Sequence, residues 1–127
     1  YGTIFVTIAD TDKDEALPLI RRFYDLGFNI EATRGTAEFL KANGIRTRIR
    51  KKLSEGSEEI LDSLRQGHVN YVINTREPAN LGRDSDGAQI RRCAVENNVT
   101  MFTALDTVRV LLEVLEEITL CISTIDS

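Results

Sequence analysis

At 127 residues, with 42% hydrophobic and 28% charged side chains, the chain has the make-up of one ordinary globular domain, which excludes a disordered, collagenous or disulfide-stapled protein. Sixteen Lys and Arg against twenty Asp and Glu leave a formal charge of −4, the opposite of the broadly basic field on which general nucleic-acid binding draws. No apolar run approaches the roughly 20 residues of a membrane helix, because Thr3–Ala9 and Val108–Leu115 are short and Glu113 interrupts the second.

Apolar runs rich in β-branched residues alternate with stretches of helical period, the pattern of an α/β protein whose parallel sheet is covered on both faces. Thr3–Ala9 reads as a central strand buried on both sides, and Asp10-Thr11-Asp12 can cap a helix over about Asp14–Leu26. Pro18 is expected within about the first turn of that helix and Gly27 at its C-terminal cap. Phe28–Ala32 makes a second strand running into Thr33-Arg34-Gly35-Thr36, after which Ala37, Leu40 and Lys41 begin a helix ended by Asn43-Gly44. The third strand, Ile45–Lys51, alternates Ile45, Thr47 and Ile49 with Arg46, Arg48 and Arg50, which predicts a sheet edge with one solvated face.

Ser57–Gln66 reads as a helix with Ser57, Glu58 and Glu59 suited to its N-terminus, leading through Gly67 to a fourth, continuous apolar strand, Val69–Asn74. Thr75–Asp86 is the longest irregular stretch, and loops of that length concentrate function. A helix from about Gly87 to Asn97, with Arg91-Arg92 turned to solvent or a partner, precedes a fifth strand, Val99–Thr103. Asp106 can cap a final helix whose Val108, Leu111, Leu112 and Leu115 face the core, and Thr119–Ile125 reads either as a last strand or as plain connecting chain. No internal repeat or linker is found. Cys93 and Cys121, far apart in apolar surroundings, read as reduced core thiols without metal-site spacing. The single histidine, His68, falls in a turn, so neither a His-based triad nor a two-His metal site can be assembled. The sequence opens at Tyr1 without Met or leader, as expected of a domain cut from a longer chain.

Ligands of open α/β sheets gather outside the carboxyl ends of the strands. The segments expected there hold Asp10, Asp12 and Lys13; Thr33-Arg34-Gly35-Thr36; Lys51-Lys52; and Asn74-Thr75-Arg76, which together describe an anion pocket. Thr-x-Gly-Thr at a helix N-terminus offers N–H groups and two hydroxyls to phosphate oxygens, Gly35 lets the backbone approach, and Lys13 and Lys52 add point charges. On the residues alone, the same Thr and Gly serve equally as an ordinary cap and turn. Lys51-Lys52 also reads as an exposed strand end, Arg91-Arg92 as a solvated helix face, and Asp84 and Asp86 as helix caps. Asp10 and Asp12 imitate the acidic pair of a phosphoreceiver domain, but Arg48–Lys52 stands where that reading needs an aspartate. A P-loop would need a Gly-Lys-Ser/Thr ending, and the sequence has none.

Across nearly the whole chain, the order of Ile4–Ala9, Asp12-Lys13, Gly27-Phe28, Ala32-Thr33-Arg34-Gly35-Thr36-Ala37, Lys52-Leu53-Ser54-Glu55-Gly56, Tyr71–Thr75, Ser85-Asp86-Gly87, Ile90-Arg91-Arg92-Cys93-Ala94 and Leu105-Asp106-Thr107 resembles one family. It is similar to the methylglyoxal-synthase-like domains, and among them to the C-terminal regulatory domain of the carbamoyl phosphate synthase large subunit. The resemblance implies a three-layer, Rossmann-like fold with a five-stranded parallel sheet of order 3-2-1-4-5. It also implies a pocket for a nucleoside monophosphate effector of the UMP or IMP type. Carried over by position, Lys13, Thr33, Gly35 and Thr36 match phosphate contacts, Lys52 a further basic contact, and Asn74 with Thr75 the edge nearest ribose and base. Arg76 stands where relatives often have Thr, which leaves the nucleotide open.

Lyase relatives use carboxylates and a histidine around the same pocket. Here Lys52–Glu58 lacks their Gly-Gly-Asp, Glu77-Pro78 replaces Asp-Pro, and Arg83 stands in the place of the histidine. The resemblance therefore implies a regulatory module with no catalytic residues, metal or cofactor of its own. Its parent would be a cytoplasmic, ATP-dependent, glutamine-hydrolysing ligase using Mg and K, serving arginine and pyrimidine synthesis. Partners would be the catalytic domains of the same subunit and a glutaminase small subunit, with neither nucleic acid nor membrane involved. Ornithine would act near the junction with the catalytic body, and the signal would leave through the Arg91-Arg92 helix, the Asn80–Asp84 loop or the final helix. Two alternatives stand beside this reading: a lyase acting on dihydroxyacetone phosphate with Glu77 or Asp86 as base, and a regulatory domain binding N-acetylglutamate.

Overall fold

The computed structural model describes residues 2–51, 57–75 and 86–126. In chain order these form β1 (Gly2–Thr7), a 3₁₀ turn (Asp10–Asp12), α1 (Lys13–Asp25), β2 (Phe28–Ala32), α2 (Arg34–Ala42), β3 (Thr47–Ile49), α3 (Glu59–Arg65), β4 (Tyr71–Asn74), α4 (Asp86–Glu96), β5 (Thr100–Phe102) and α5 (Leu105–Asp126). All strand pairs are parallel and the order is β3-β2-β1-β4-β5, as the resemblance implies.

β1 is buried on both faces because its side chains alternate between two cores. Ile4 and Val6 join the core under α1, α2 and α5. Phe5 points the other way, into the core under α3 and α4 with Leu61, Leu64, Val72 and Ile90. α1 contributes Ala16, Leu19, Ile20 and Phe23, a stripe at helical spacing, and α5 contributes Val108, Leu112 and Leu115, with Leu111 packed partly buried beside them. Gly27, at φ +102°, turns the chain from α1 into β2 in a conformation only glycine adopts freely. That turn sets Phe28 edge-to-face on Phe23, with ring centroids 5.4 Å apart.

Several sequence expectations shift. Pro18 is the sixth residue of α1, in its second turn, where it withholds the N–H that Asp14 C=O would otherwise accept; the exposed position makes that loss tolerable. Asp12 precedes α1 without a side-chain capping bond. α2 begins at Arg34, three residues before Ala37, because Thr33 alone supplies the extended residue ahead of the helix. Asp106 lies inside the first turn of α5 rather than capping it, and the Thr107 hydroxyl donates to Ala104 C=O at 2.7 Å. α5 runs on to Asp126, so Thr119–Ile125 is neither strand nor plain chain. From Glu116 to Cys121 none of its side chains is buried, which leaves Cys121 exposed rather than in the core, while Cys93 is buried as expected. Burial raises the Cys93 thiol pKa above its ordinary value. No helix among the described residues is long and apolar enough to cross a membrane.

Candidate anion-binding site

The strand order reverses between β1 and β4, which opens a crevice outside their carboxyl ends. β1 delivers Thr7, Ile8 and Ala9 to that crevice, β2 delivers Thr33 at the start of α2, and β4 delivers Asn74, in register with Thr7, followed by Thr75. Thr33, Thr36 and Asn74 are buried polar residues, at 4%, 1% and 2% exposure.

Threonine hydroxyls stitch these segments together. Ile8 N–H donates to Thr36 Oγ1 at 3.1 Å, and Ala9 N–H donates to Thr75 Oγ1 at 3.0 Å. Thr75 N–H in turn donates to Thr7 C=O at 3.1 Å. A hydroxyl that accepts an N–H keeps its own proton, so Thr36 and Thr75 remain donors with their oxygens fixed in place.

The N-terminus of α2 is open. Thr33 has the extended backbone of a capping residue, at φ −69° and ψ 160°, yet its side chain makes no capping bond. Its hydroxyl lies 3.4 Å from that of Thr7 instead. The first helical bond runs from Ala37 N–H to Thr33 C=O at 2.8 Å. The N–H groups of Arg34, Gly35 and Thr36 therefore have no acceptor among the described residues. No acid stands in this first turn, and Arg34 is exposed there. The positive end of the helix dipole is left without negative charge.

Gly35 is not the turn residue its sequence context suggests. It lies within α2 without a positive φ, and a Cβ added there would meet nothing within 4 Å. Open space therefore lies where its side chain would stand, within the first turn that carries the free N–H groups.

Lys13 opens α1 with its ammonium 2.6 Å from Asp10 Oδ1 and 5.9 Å from the centre of the Phe39 ring on α2. Lys13 is therefore held between the turn after β1 and the helix bearing the open N-terminus. Asp10 is 92% exposed, so this pair is weak and easily exchanged for another anion. Lys52, Arg76, Glu77, Pro78, Arg83 and Asp84 lie outside the described residues. Lys51 is exposed, and its N–H donates to Glu59 at 2.9 Å, tying the end of β3 to the start of α3.

One feature escapes sequence reasoning. Glu31, buried on β2, takes two hydrogen bonds from Arg50 at 2.9 and 3.2 Å, while Arg50 N–H donates to Ala32 C=O at 2.8 Å. The Glu31 carboxylate holds the Arg50 guanidinium firmly charged, raising its pKa against the effect of burial. The available signal was an acid inside an apolar strand beside a strand of alternating arginines. A small cavity of about 190 Å³ lies near the crevice, lined by Asp12, Glu15, Thr75 and Asp106 among others. It is below the size of a typical small-ligand pocket. Arg109 offsets its acids, 3.3 Å from Asp106 and 3.8 Å from Glu15. His68 lies at the opposite end of the sheet, before β4 begins. Among the described residues, no group of three His, Cys, Asp or Glu side chains is placed to hold a metal ion.

Residues 15–103, from within the first turn of α1 through β5, match the MGS-like domain. The chain belongs to the MGS-like domain family. The crystal structure of methylglyoxal synthase from Elizabethkingia anophelis NUHP1 is similar to this MGS-like domain, with a TM-score of 0.71 and 22% identity over 87% of this chain and 76% of that one. The crystal structure of ForH is also similar, with a TM-score of 0.64 and 15% identity over 92% of this chain and 80% of that one. At these identities the likeness is one of fold. The matched region carries Thr33–Thr36 and Asn74–Thr75, so the open helix start lies in the family's portion of the chain, while Thr7, Ile8, Ala9 and Lys13 precede it.

Proposed function

We propose that this MGS-like domain is a regulatory module that binds the phosphate of a nucleoside monophosphate at the N-terminus of α2. The observation that carries the reading is the uncapped first turn, where three N–H groups meet no acceptor among the described residues and Arg34 stands where an acid would be self-stabilising. Bound phosphate accepts hydrogen bonds from those N–H groups and from the Thr36 hydroxyl, and Lys13 transfers its ammonium from Asp10 to the dianion. Asn74 and Thr75 form the edge next to ribose and base, and Lys52 adds a further cation. None of these groups moves a proton, and the chain's one histidine stands at the far end of the sheet.

In this reading the domain belongs to a carbamoyl phosphate synthase large subunit, a cytoplasmic ATP- and Mg-dependent ligase with a glutaminase partner. The effector acts by preferring one state of the whole enzyme, with a coupling of about 1–3 kcal/mol. A lyase acting on dihydroxyacetone phosphate is the second reading, favoured by one observation: Asp10 sets an exposed carboxylate beside Lys13.

Thermal-shift titration with UMP, IMP, inorganic phosphate and N-acetylglutamate tests the proposal, since any ligand preferring the native state raises stability. A mononucleotide is expected to raise Tm, and Lys13→Ala is expected to keep the unliganded Tm while losing the response. Stabilisation by N-acetylglutamate alone overturns the phosphate assignment. Methylglyoxal formation from dihydroxyacetone phosphate above background favours the lyase.

A further inference from the structure

β3 closes one side of the sheet, and both its backbone and its side chains are disposed to receive another strand. Backbone groups alternate in direction along a strand. Arg50 N–H reaches Ala32 on β2, so the N–H and C=O of Arg48 also face β2, and those of Thr47 and Ile49 face outward. Among the described residues nothing pairs with that outer edge.

The side chains alternate as well. Thr47 is buried and Ile49 is 37% exposed on the face towards α2. Arg46, Arg48 and Arg50 stand on the other face, along a groove of about 710 Å³ between the sheet and α3. The acids of this groove are engaged: Glu31 by Arg50, Glu59 by the Lys51 N–H, and Asp62 by Arg65 at 3.3 Å. Arg46 and Arg48 are exposed and make no ion pair among the described residues. Across the sheet, Glu31 and Arg48 stand in register, a negative then a positive side chain, and no described residue takes the next place outward.

We propose that the β3 edge accepts an extended acidic segment of another polypeptide as an added strand, with alternate carboxylates on Arg46 and Arg48 and an apolar side chain against Ile49. Added strands repeat every two residues, the spacing of the two arginines, and opposite charges directly across a strand pair attract. A second copy of β3 is a poor occupant, because it sets arginine against arginine. The edge is separate from the anion site, so the proposal does not depend on the nucleotide reading.

The probe is a fluorescein-labelled peptide alternating Glu with Val and Ile, followed by anisotropy at low salt and by amide exchange of the ¹⁵N-labelled domain. Saturable binding is expected, with slowed exchange at Thr47 and Ile49 and no displacement by UMP. The Arg46→Glu/Arg48→Glu variant, checked for native circular dichroism, is expected to bind at least about tenfold more weakly and to accept the Lys-for-Glu peptide instead. Four results each overturn the proposal: no binding; equal binding by a peptide of the same composition with its acids clustered; unchanged Thr47 and Ile49 amides; or protection of those amides by self-association alone.

Discussion

The helix starts of α1, α2, α3 and α5 fall into two kinds. α1 opens with Asp14 and Glu15, α3 with Glu59 and Asp62 behind Ser57, and α5 with Asp106, so each sets negative charge of its own against the positive end of its dipole. α2 has no acid in its first turn, presents Arg34, and spends its capping threonine on Thr7 across the sheet. Charge at a helix end is worth about 0.3–1 kcal/mol, so α2 forgoes stability that α1, α3 and α5 collect. The difference teaches where the proposed phosphate is best tested: among these starts α2 alone leaves its first N–H groups open and carries no acid of its own.

The most direct way to break the contrast is to give α2 an acid. Arg34→Glu is expected to leave the unliganded domain as stable or slightly more so, and to abolish nucleotide stabilisation. At a hundred times Kd that stabilisation amounts to about 2.7 kcal/mol. Urea unfolding with and without UMP reads both quantities. A full ligand response in the variant would mean that α2 does not hold the phosphate.

Ser57→Ala damages the other kind of start. The Ser57 hydroxyl accepts Glu59 N–H at 3.2 Å, and losing such a bond costs about 1 kcal/mol. The nucleotide Kd, measured by calorimetry, is expected to stay the same. A shifted Kd would couple the two helix starts and blur the distinction between them.

Gly35→Ala sharpens the contrast further, because its two effects have opposite sign. Gly35 lies within the helix with open space where a methyl would go. Alanine therefore stabilises the unliganded domain by up to about 0.5–1 kcal/mol, while the methyl crowds an approaching phosphate and weakens UMP. If stability and affinity rise together, the ligand does not approach there.

The sheet order is what the family resemblance implies, and the strands are legible as short runs between turn residues, apolar in four of them and alternating with arginine in β3. Lys13, Thr33, Thr36, Asn74 and Thr75 come to the same end of the sheet because they follow the three adjacent parallel strands β2, β1 and β4. The helix N-terminus at Thr33-Arg34-Gly35-Thr36 is legible, but its first residue is not, because the four have the composition of a turn; nor is the contact of Thr33 with Thr7 on a different strand, made in place of a capping bond. The Glu31–Arg50 pair depends on the register of β2 against β3, which no local pattern encodes. Cys121 misleads for a related reason. α5 carries apolar Val110, Val114, Ile118 and Leu120 on its exposed side as well, so an apolar neighbourhood there does not signify burial.

The smallest effect concerns the other end of α1, where the helix again satisfies its own dipole. Arg22, in the last turn, donates from Nε to Glu116 of α5 at 3.0 Å. The hydrogen bond from Arg22 holds the Glu116 carboxyl below its ordinary pKa, and Arg22 is held charged in return. A carboxyl whose pKa is lower folded than unfolded adds stability above the unfolded value, near 4.3, and that stability is lost as pH falls through the folded value. Glu116 is 40% exposed and Arg22 32%, so solvent screening reduces the contribution to a few tenths of a kcal/mol. Glu116→Gln should therefore be slightly less stable than the parent at pH 6, and the two should converge as pH falls below 4 in urea unfolding. A gap that persists into acid would assign the loss to packing between α1 and α5 rather than to charge, and this helix end would no longer count as electrostatically self-satisfied.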